Sequence, residues 1–249
     1  MLKTLCETLK SNVRIEIFMS VVLLISVTAI ACNMDKVAEK ESESHSQREE
    51  KFNGKAVVID PGHGGTDPGK VGVSGVKEKD VNLAIAKELE AILVENGYQA
   101  AMTRTEDIVL SGEGKFSKIG DLNARCKIIN DTYAFNEDCV LISIHQNSFT
   151  QQSVHGAQCF YYQRSEKSRQ LAGVVQKHLN EKINTQKEKQ PKPNDSYYML
   201  INSKCPGVII ECGFLSNGEE EAKLKNPDYQ KEIAGIIKEC LDEYFNVGK

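Results

Sequence analysis

The sequence predicts an α/β fold: one three-layer domain with a central, mostly parallel, mixed sheet flanked by helices. Three observations lead there. Short β-branched runs, Val57 to Ile59, Val140 to Ile144 and Val208 to Ile210, alternate with segments whose apolar residues recur at helical spacing. Strands alternating with helices favour a sheet covered by helices on its faces. At 249 residues and 40% hydrophobic content, the chain is long enough to bury a full core.

The elements follow in order. Lys3, Lys10 and Arg14 precede Ile15 to Ala31, an apolar run interrupted only by Glu16. A positive segment ahead of an apolar one reads as an export signal or a retained membrane anchor over residues 1–32. Ala29-Ile30-Ala31-Cys32 also sets small residues before a cysteine, as at a bacterial lipoprotein cleavage site. Cleavage, lipidation at Cys32 and retention all place the remainder outside the cytoplasm. Residues 33–52 are polar and charge-rich, the composition of a disordered tether, so the folded domain spans 53–249.

That domain opens with a strand running into Asp60-Pro61 and a glycine turn (Gly62, Gly64, Gly65) that presents His63. Asp80 is the expected N-cap of a helix reaching Asn96, with Val81, Ile85, Leu89, Ile92 and Leu93 on one face, Gly97 as its stop and Glu78 just ahead of it. A strand over 99–104, a loop from Ser111 to Gly120 and a short helix facing inward through Leu122, Cys126 and Ile129 come next. Val140 to Ile144 is a strand ending at His145, and 157–162 is another. Ser165 caps a helix with the stripe Leu171, Val174, Val175, His178 and Leu179. Residues 185–195, with Pro191 and Pro193, read as a polar loop; 197–201 and 208–211 read as strands. Asn226-Pro227 opens a final helix that buries Ile233, Ile236, Ile237, Cys240, Leu241 and Tyr244.

Composition narrows the function. A net charge of −4 gives no basic footprint for nucleic acid. The eight cysteines include no C-x-x-C pair, which argues against a structural zinc finger, and Cys126, Cys139, Cys159 and Cys240 sit in apolar segments where buried free thiols are expected.

The chemistry lies at strand ends. His63 follows VVID, His145 follows LISI and Glu211 follows VII, and Glu78 enters the same edge from the segment before the first helix. Ligands in open α/β sheets sit at the carboxyl ends of parallel strands, so these side chains can converge on one crevice. Two imidazoles and one carboxylate form a frequent ligand set for catalytic zinc, and a second carboxylate then serves as general base. Spacing alone leaves open which of Glu78 and Glu211 binds and which is the base.

DPGHGG at 60–65, Glu78-Lys79-Asp80, Thr103-Arg104, SIHQN at 143–147 and ECGFLSN at 211–217 together resemble the zinc-dependent N-acetylmuramoyl-L-alanine amidases of type 3, and in architecture their spore-cortex, germination-specific members. The resemblance implies His63, Glu78 and His145 as zinc ligands and Glu211 as the catalytic carboxylate, with Zn2+ as cofactor and peptidoglycan as substrate. Arg104 and Asn147 are candidates for orienting a ligand or a polar group of the substrate. Gln146 and Cys212 depart from the family pattern without removing a ligand. An activating partner protein, docking at 111–120 or 185–195, and membrane attachment through the N-terminal segment complete the expectation. Two other classes fit the same residues: a different zinc-dependent wall peptidase or carboxypeptidase, and a catalytically silent wall-binding regulator, against which the intact Glu211 speaks.

Overall fold

The computed structural model describes residues 52–111 and 117–247. The expected signal or anchor, nearly all of the tether, Cys6, Cys32 and residues 112–116 of the 111–120 loop lie outside those residues. No helix among the described residues is long and apolar enough to cross a membrane.

Six strands form one mixed sheet: β1 (Ala56–Pro61), β2 (Gln99–Met102), β3 (Cys139–Asn147), β4 (Gln158–Tyr162), β5 (Lys192–Asn194) and β6 (Gly207–Phe214), in spatial order β2-β1-β3-β6-β4-β5. β2, β1, β3 and β6 run parallel, and the edge pair β4 and β5, parallel to each other, runs opposite to them through the antiparallel β4–β6 ladder. The helices are α1 (Glu78–Glu95), α2 (Lys118–Phe135), α3 (Glu166–Lys182), α4 (Tyr198–Asn202), α5 (Gly218–Leu224) and α6 (Pro227–Val247).

Strand side chains alternate between faces, and that parity builds two cores. Val57 and Ile59, then Val140, Ile142 and Ile144, then Val208, Ile210 and Cys212 face α1, α3 and α6 in the larger core. Their neighbours Ala56, Val58, Cys139 and Leu141 face α2 and α4 in the smaller one, with Cys126, Ile129, Met199 and Cys205. The residues left on the smaller side at the carboxyl ends are Asp60, Ser143, His145, Ile209 and Glu211. The ladder pairs Asp60 with Ser143, Ser143 with Ile209 and His145 with Glu211. The polar ends of three strands thus point to one side.

The expected α/β, three-layer fold is the one observed, and several local expectations are corrected. Glu78 lies inside the first turn of α1 rather than ahead of it, because Lys77 is the N-cap and the first amides of the helix donate to the carbonyls of Lys70 and Pro68 instead of to an Asp80 cap. Residues 198–202 form a helix, not a strand. Asn194 Oδ1 accepts from the amides of Ser196 and Tyr197, and that turn starts a helical coil which an apolar run of five cannot distinguish from a strand. The 185–195 loop contains β5, an edge strand, the position where prolines are tolerated. α2 is 18 residues long, not short, and takes in Gly120.

Ile142 is fully buried on the central strand β3. Ile142→Ala is expected to lower unfolding free energy by about 2–4 kcal/mol, read as a reduced urea midpoint with an unchanged slope.

Candidate active site

β1 ends in a buried ionic network. Asp60 is 1% exposed, and its Oδ1 accepts from Thr103 Oγ1 at 2.7 Å and Arg125 Nη1 at 2.7 Å while Oδ2 accepts from Ser143 Oγ at 2.7 Å. Burial pushes the carboxyl's pKa up, but the Arg125 charge and the two hydroxyl donors outweigh it and hold it at about 2. Arg125, itself 2% exposed, also donates to Asp121 and to the carbonyls of Pro61 and His63, the last at 2.6 Å. Arg104 clamps the same turn from the other side, donating to the carbonyls of Pro61, Gly62, Lys79 and Glu106.

The two guanidiniums hold a backbone that would otherwise relax. His63 has φ of 62°, a left-handed conformation uncommon for a non-glycine residue. Its Nδ1 bonds Asp67 Oδ2 at 2.8 Å, which turns Nε2 toward Glu78 Oε2, 3.3 Å away. Burial lowers the His63 pKa, but the bonds to Glu78 and Asp67 outweigh it and raise it above its ordinary value.

Glu78 reaches in from the first turn of α1. Its Oε1 lies 2.9 Å from His145 Nδ1 and accepts from the Gln146 amide, and its Oε2 accepts from the Lys70 amide. Asn82, one turn further on, supports it and bonds Gln146 in turn. Burial raises the Glu78 pKa, yet the hydrogen bonds from His145 and His63 prevail and hold it far below the carboxylate range. His63, Glu78 and His145 each offer an atom within 4.8 Å of the others. Two glycines make the approach possible: a Cβ on Gly62 would sit 2.1 Å from the His145 ring, and one on Gly69 would sit 2.5 Å from Glu78 Oε2.

Glu211 stands across the β3–β6 ladder from His145. Its Oε2 is buried without a hydrogen-bond partner. Burial pushes its pKa up to about 7, Glu78 adding to the rise while the histidines oppose it. Both histidines and Glu211 line a cleft of about 400 Å³, together with Tyr197 and Tyr198 at the start of α4. A carboxylate with a free, proton-accepting oxygen therefore faces a cluster of potential metal ligands.

The structure brings His63, Glu78, His145 and Glu211 to one place. Arg104 is buried, and the group it orients is the His63 turn. Asn147 bonds the Ser148 amide through its own side chain and lines a neighbouring groove with Phe214 and Asn217. Arg125, Asp60, Asp67 and Asn82 escaped the sequence reading. The signal for Asp67 was present, since a carboxylate four residues after His63 in a glycine-rich turn is within reach of its ring.

This fold and this cluster are those of a cell-wall amide hydrolase. The sequence profile of the N-acetylmuramoyl-L-alanine amidases matches residues 57–243, and the chain belongs to that family. It is 36% identical over 198 residues to the germination-specific N-acetylmuramoyl-L-alanine amidase of Bacillus subtilis, covering 78% of this chain and 81% of that one. Among solved structures it resembles the CwlD amidase of Clostridioides difficile, solved in complex with the GerS lipoprotein (TM-score 0.71, 33% identity, 78% of this chain, 99% of that one). It also resembles the amidase AmiC2 of Nostoc punctiforme (TM-score 0.64, 30% identity, 78% and 99%).

The buried network makes an acid-stability prediction. Asp60 is held at about 2 in the folded state, against 3.8 for the free side chain, so its contribution is complete above pH 4 and is lost as pH falls toward 2. That loss is expected to be on the order of 2 kcal/mol. Asp60→Asn should flatten this part of a plot of urea midpoint against pH.

Proposed function

We propose that the chain hydrolyses the amide between the lactyl group of N-acetylmuramic acid and L-alanine of the peptidoglycan stem peptide, with zinc held by His63, Glu78 and His145 and with Glu211 as the general base. The observation that carries this reading is the convergence of three ligand atoms within 4.8 Å beside a carboxylate with an unpaired oxygen. The donor set suits the ion: two atoms bound to one tetrahedral zinc at 2.0–2.1 Å lie roughly 3.3 Å apart, and His63 Nε2 and Glu78 Oε2 are separated by 3.3 Å. Asp67 behind His63 supplies the outer carboxylate that fixes the orientation of a ligating imidazole.

A zinc ion bound there supplies Lewis acidity toward the scissile carbonyl and a more acidic water. The rest belongs to the chain. Glu211 Oε2 accepts the proton of the attacking water and returns it to the departing alanine nitrogen, a task suited to a carboxylate whose pKa burial has brought to about 7. The cleft wall at Tyr197 and Tyr198 flanks the space over Glu211 and positions the substrate.

The germination-specific relative supports a place for the reaction in the spore cortex, outside the cytoplasm. The CwlD complex supports a lipoprotein partner for this chain as well. The N-terminal apolar run supports attachment to a membrane.

Digestion of purified peptidoglycan, with fragments read by mass spectrometry, tests the reaction. Peptides with a free L-alanine amino terminus and glycan with intact lactyl groups are expected, and chelator should abolish both. Release of free D-alanine or of cleaved glycan would identify another bond and overturn the reading. Glu211→Gln is expected to keep metal stoichiometry by elemental analysis while turnover falls by about 10²–10⁴-fold. His63→Ala should lose the metal itself.

A further inference from the structure

The smaller core contains a group of sulfur atoms that the amidase chemistry does not use. Cys126, Cys139, Cys205 and Met199 all belong to it, with Cys126 Sγ 3.7 Å from Met199 Sδ. All six cysteines of the described residues are free. Within this group, Cys139 and Cys205 stand in a particular relation.

Cys139 is the first residue of β3, and Cys205 lies two residues before β6. β3 and β6 are parallel neighbours whose first paired residues are Leu141 and Gly207, with the Leu141 amide donating to the Pro206 carbonyl at 2.8 Å. Cys139 and Cys205 each precede that first pair by two residues, Cys139 within β3 and Cys205 in the bend that leads into β6. Both cysteines are buried in the smaller core, as Leu141 is. Adjacent strands lie about 4.8 Å apart, inside the roughly 4.4–6.8 Å span between α-carbons that a disulfide bridges. The two thiols share one buried cluster and lie close enough that Cys205 lowers the pKa of Cys139 while Cys139 raises that of Cys205. Cys139 is 2% exposed and Cys205 5%, so neither is placed for metal capture or reaction at the surface.

From this placement we infer that Cys139 and Cys205 are a disulfide-forming pair, closed when the chain folds in an oxidising compartment. The setting suits the bond, since a cell-wall amidase works outside the cytoplasm, where disulfides persist. The step needs an oxidant, a small-molecule or protein disulfide. The Cys139 thiolate attacks one of its sulfurs, forming a mixed disulfide and expelling one thiolate. The Cys205 thiolate then attacks the Cys139 sulfur and expels the second. The protein loses two protons and two electrons, and the external disulfide becomes two thiols. The bond ties the starts of β3 and β6, the strands that carry His145 and Glu211, and closes a loop containing β4, α3, β5 and α4.

The test leaves metal and substrate aside. The full-length chain, reduced and denatured, is refolded in mixed reduced and oxidised glutathione, blocked with iodoacetamide and digested for peptide mapping. The expected result is a peptide pair joined through Cys139 and Cys205, two hydrogens lighter than its parts, with Cys126, Cys159, Cys212 and Cys240 alkylated. The oxidised protein should melt on the order of 5–10 °C above the reduced one, a shift that dithiothreitol reverses and that Cys205→Ser lacks. Alkylation of both residues after oxidative refolding, a link from either one to Cys126, or the same melting shift in Cys205→Ser would overturn the inference. Should Cys205→Ser not fold, the wild-type peptide map decides alone.

Discussion

The site depends on the ion pair between Asp60 and Arg125. A carboxylate and a guanidinium, both almost fully buried at the end of a central strand, are costly to dehydrate, and such pairs are weak sources of net stability. Here the cost is offset because Asp60 takes a donor at both oxygens and Arg125 spends its remaining donors on Asp121 and on two carbonyls of the His63 turn. What the pair contributes is geometry. It fixes the path of Pro61 to His63 against α2, and with Arg104 on the opposite flank it keeps His63 in a backbone conformation that the residue would leave if released.

The parity of the sheet does the remaining positioning. β3 and β6 each give alternate residues to the larger core, where Ile142, Ile144, Val208 and Ile210 pack under α1 and α6, and the intervening residues to the other side. Because the apolar half is fixed by burial, the polar half has no freedom of its own. A slip of one residue in either strand would bury His145 or Glu211 in the larger core and turn isoleucine into the cleft. The same strands that stabilise the domain therefore set the register between an imidazole and a carboxylate.

Much of this was legible in sequence because it is local. An apolar run that ends in a histidine or glutamate states both the strand and its functional end, and the glycines around His63 announce a close approach. What stayed hidden is what acts at long range. Arg125 sits beside Cys126 on a segment that reads as an ordinary amphipathic helix, and its partner Asp60 is 65 residues away in sequence. The helical state of 198–202 and the strand at Lys192–Asn194 were misread because short segments are decided by their neighbours: an Asn194 turn in one case, pairing with β4 in the other. The sequence sets Glu78 ahead of its helix, and the structure sets it in the first turn. The difference matters, since a first-turn position anchors the carboxylate on a rigid element.

The two glutamates sit in environments that spacing could not tell apart. Glu78 receives hydrogen bonds from the backbone amides of Lys70 and Gln146 and lies against both histidines, so its charge is favoured and its orientation locked. Such a group is a good anion for a cation and a poor proton carrier. Glu211 has an oxygen that nothing satisfies, and burial brings its pKa to about 7, where taking and giving up a proton are both easy. Charge kept permanently on one carboxylate also raises the proton affinity of the other, since Glu78 is itself among the groups that push Glu211 upward. The proposed ligand and base roles thus rest on this chain's own contacts, separate from its resemblance to any relative: one carboxylate is fully bonded, and the other keeps an oxygen without a partner.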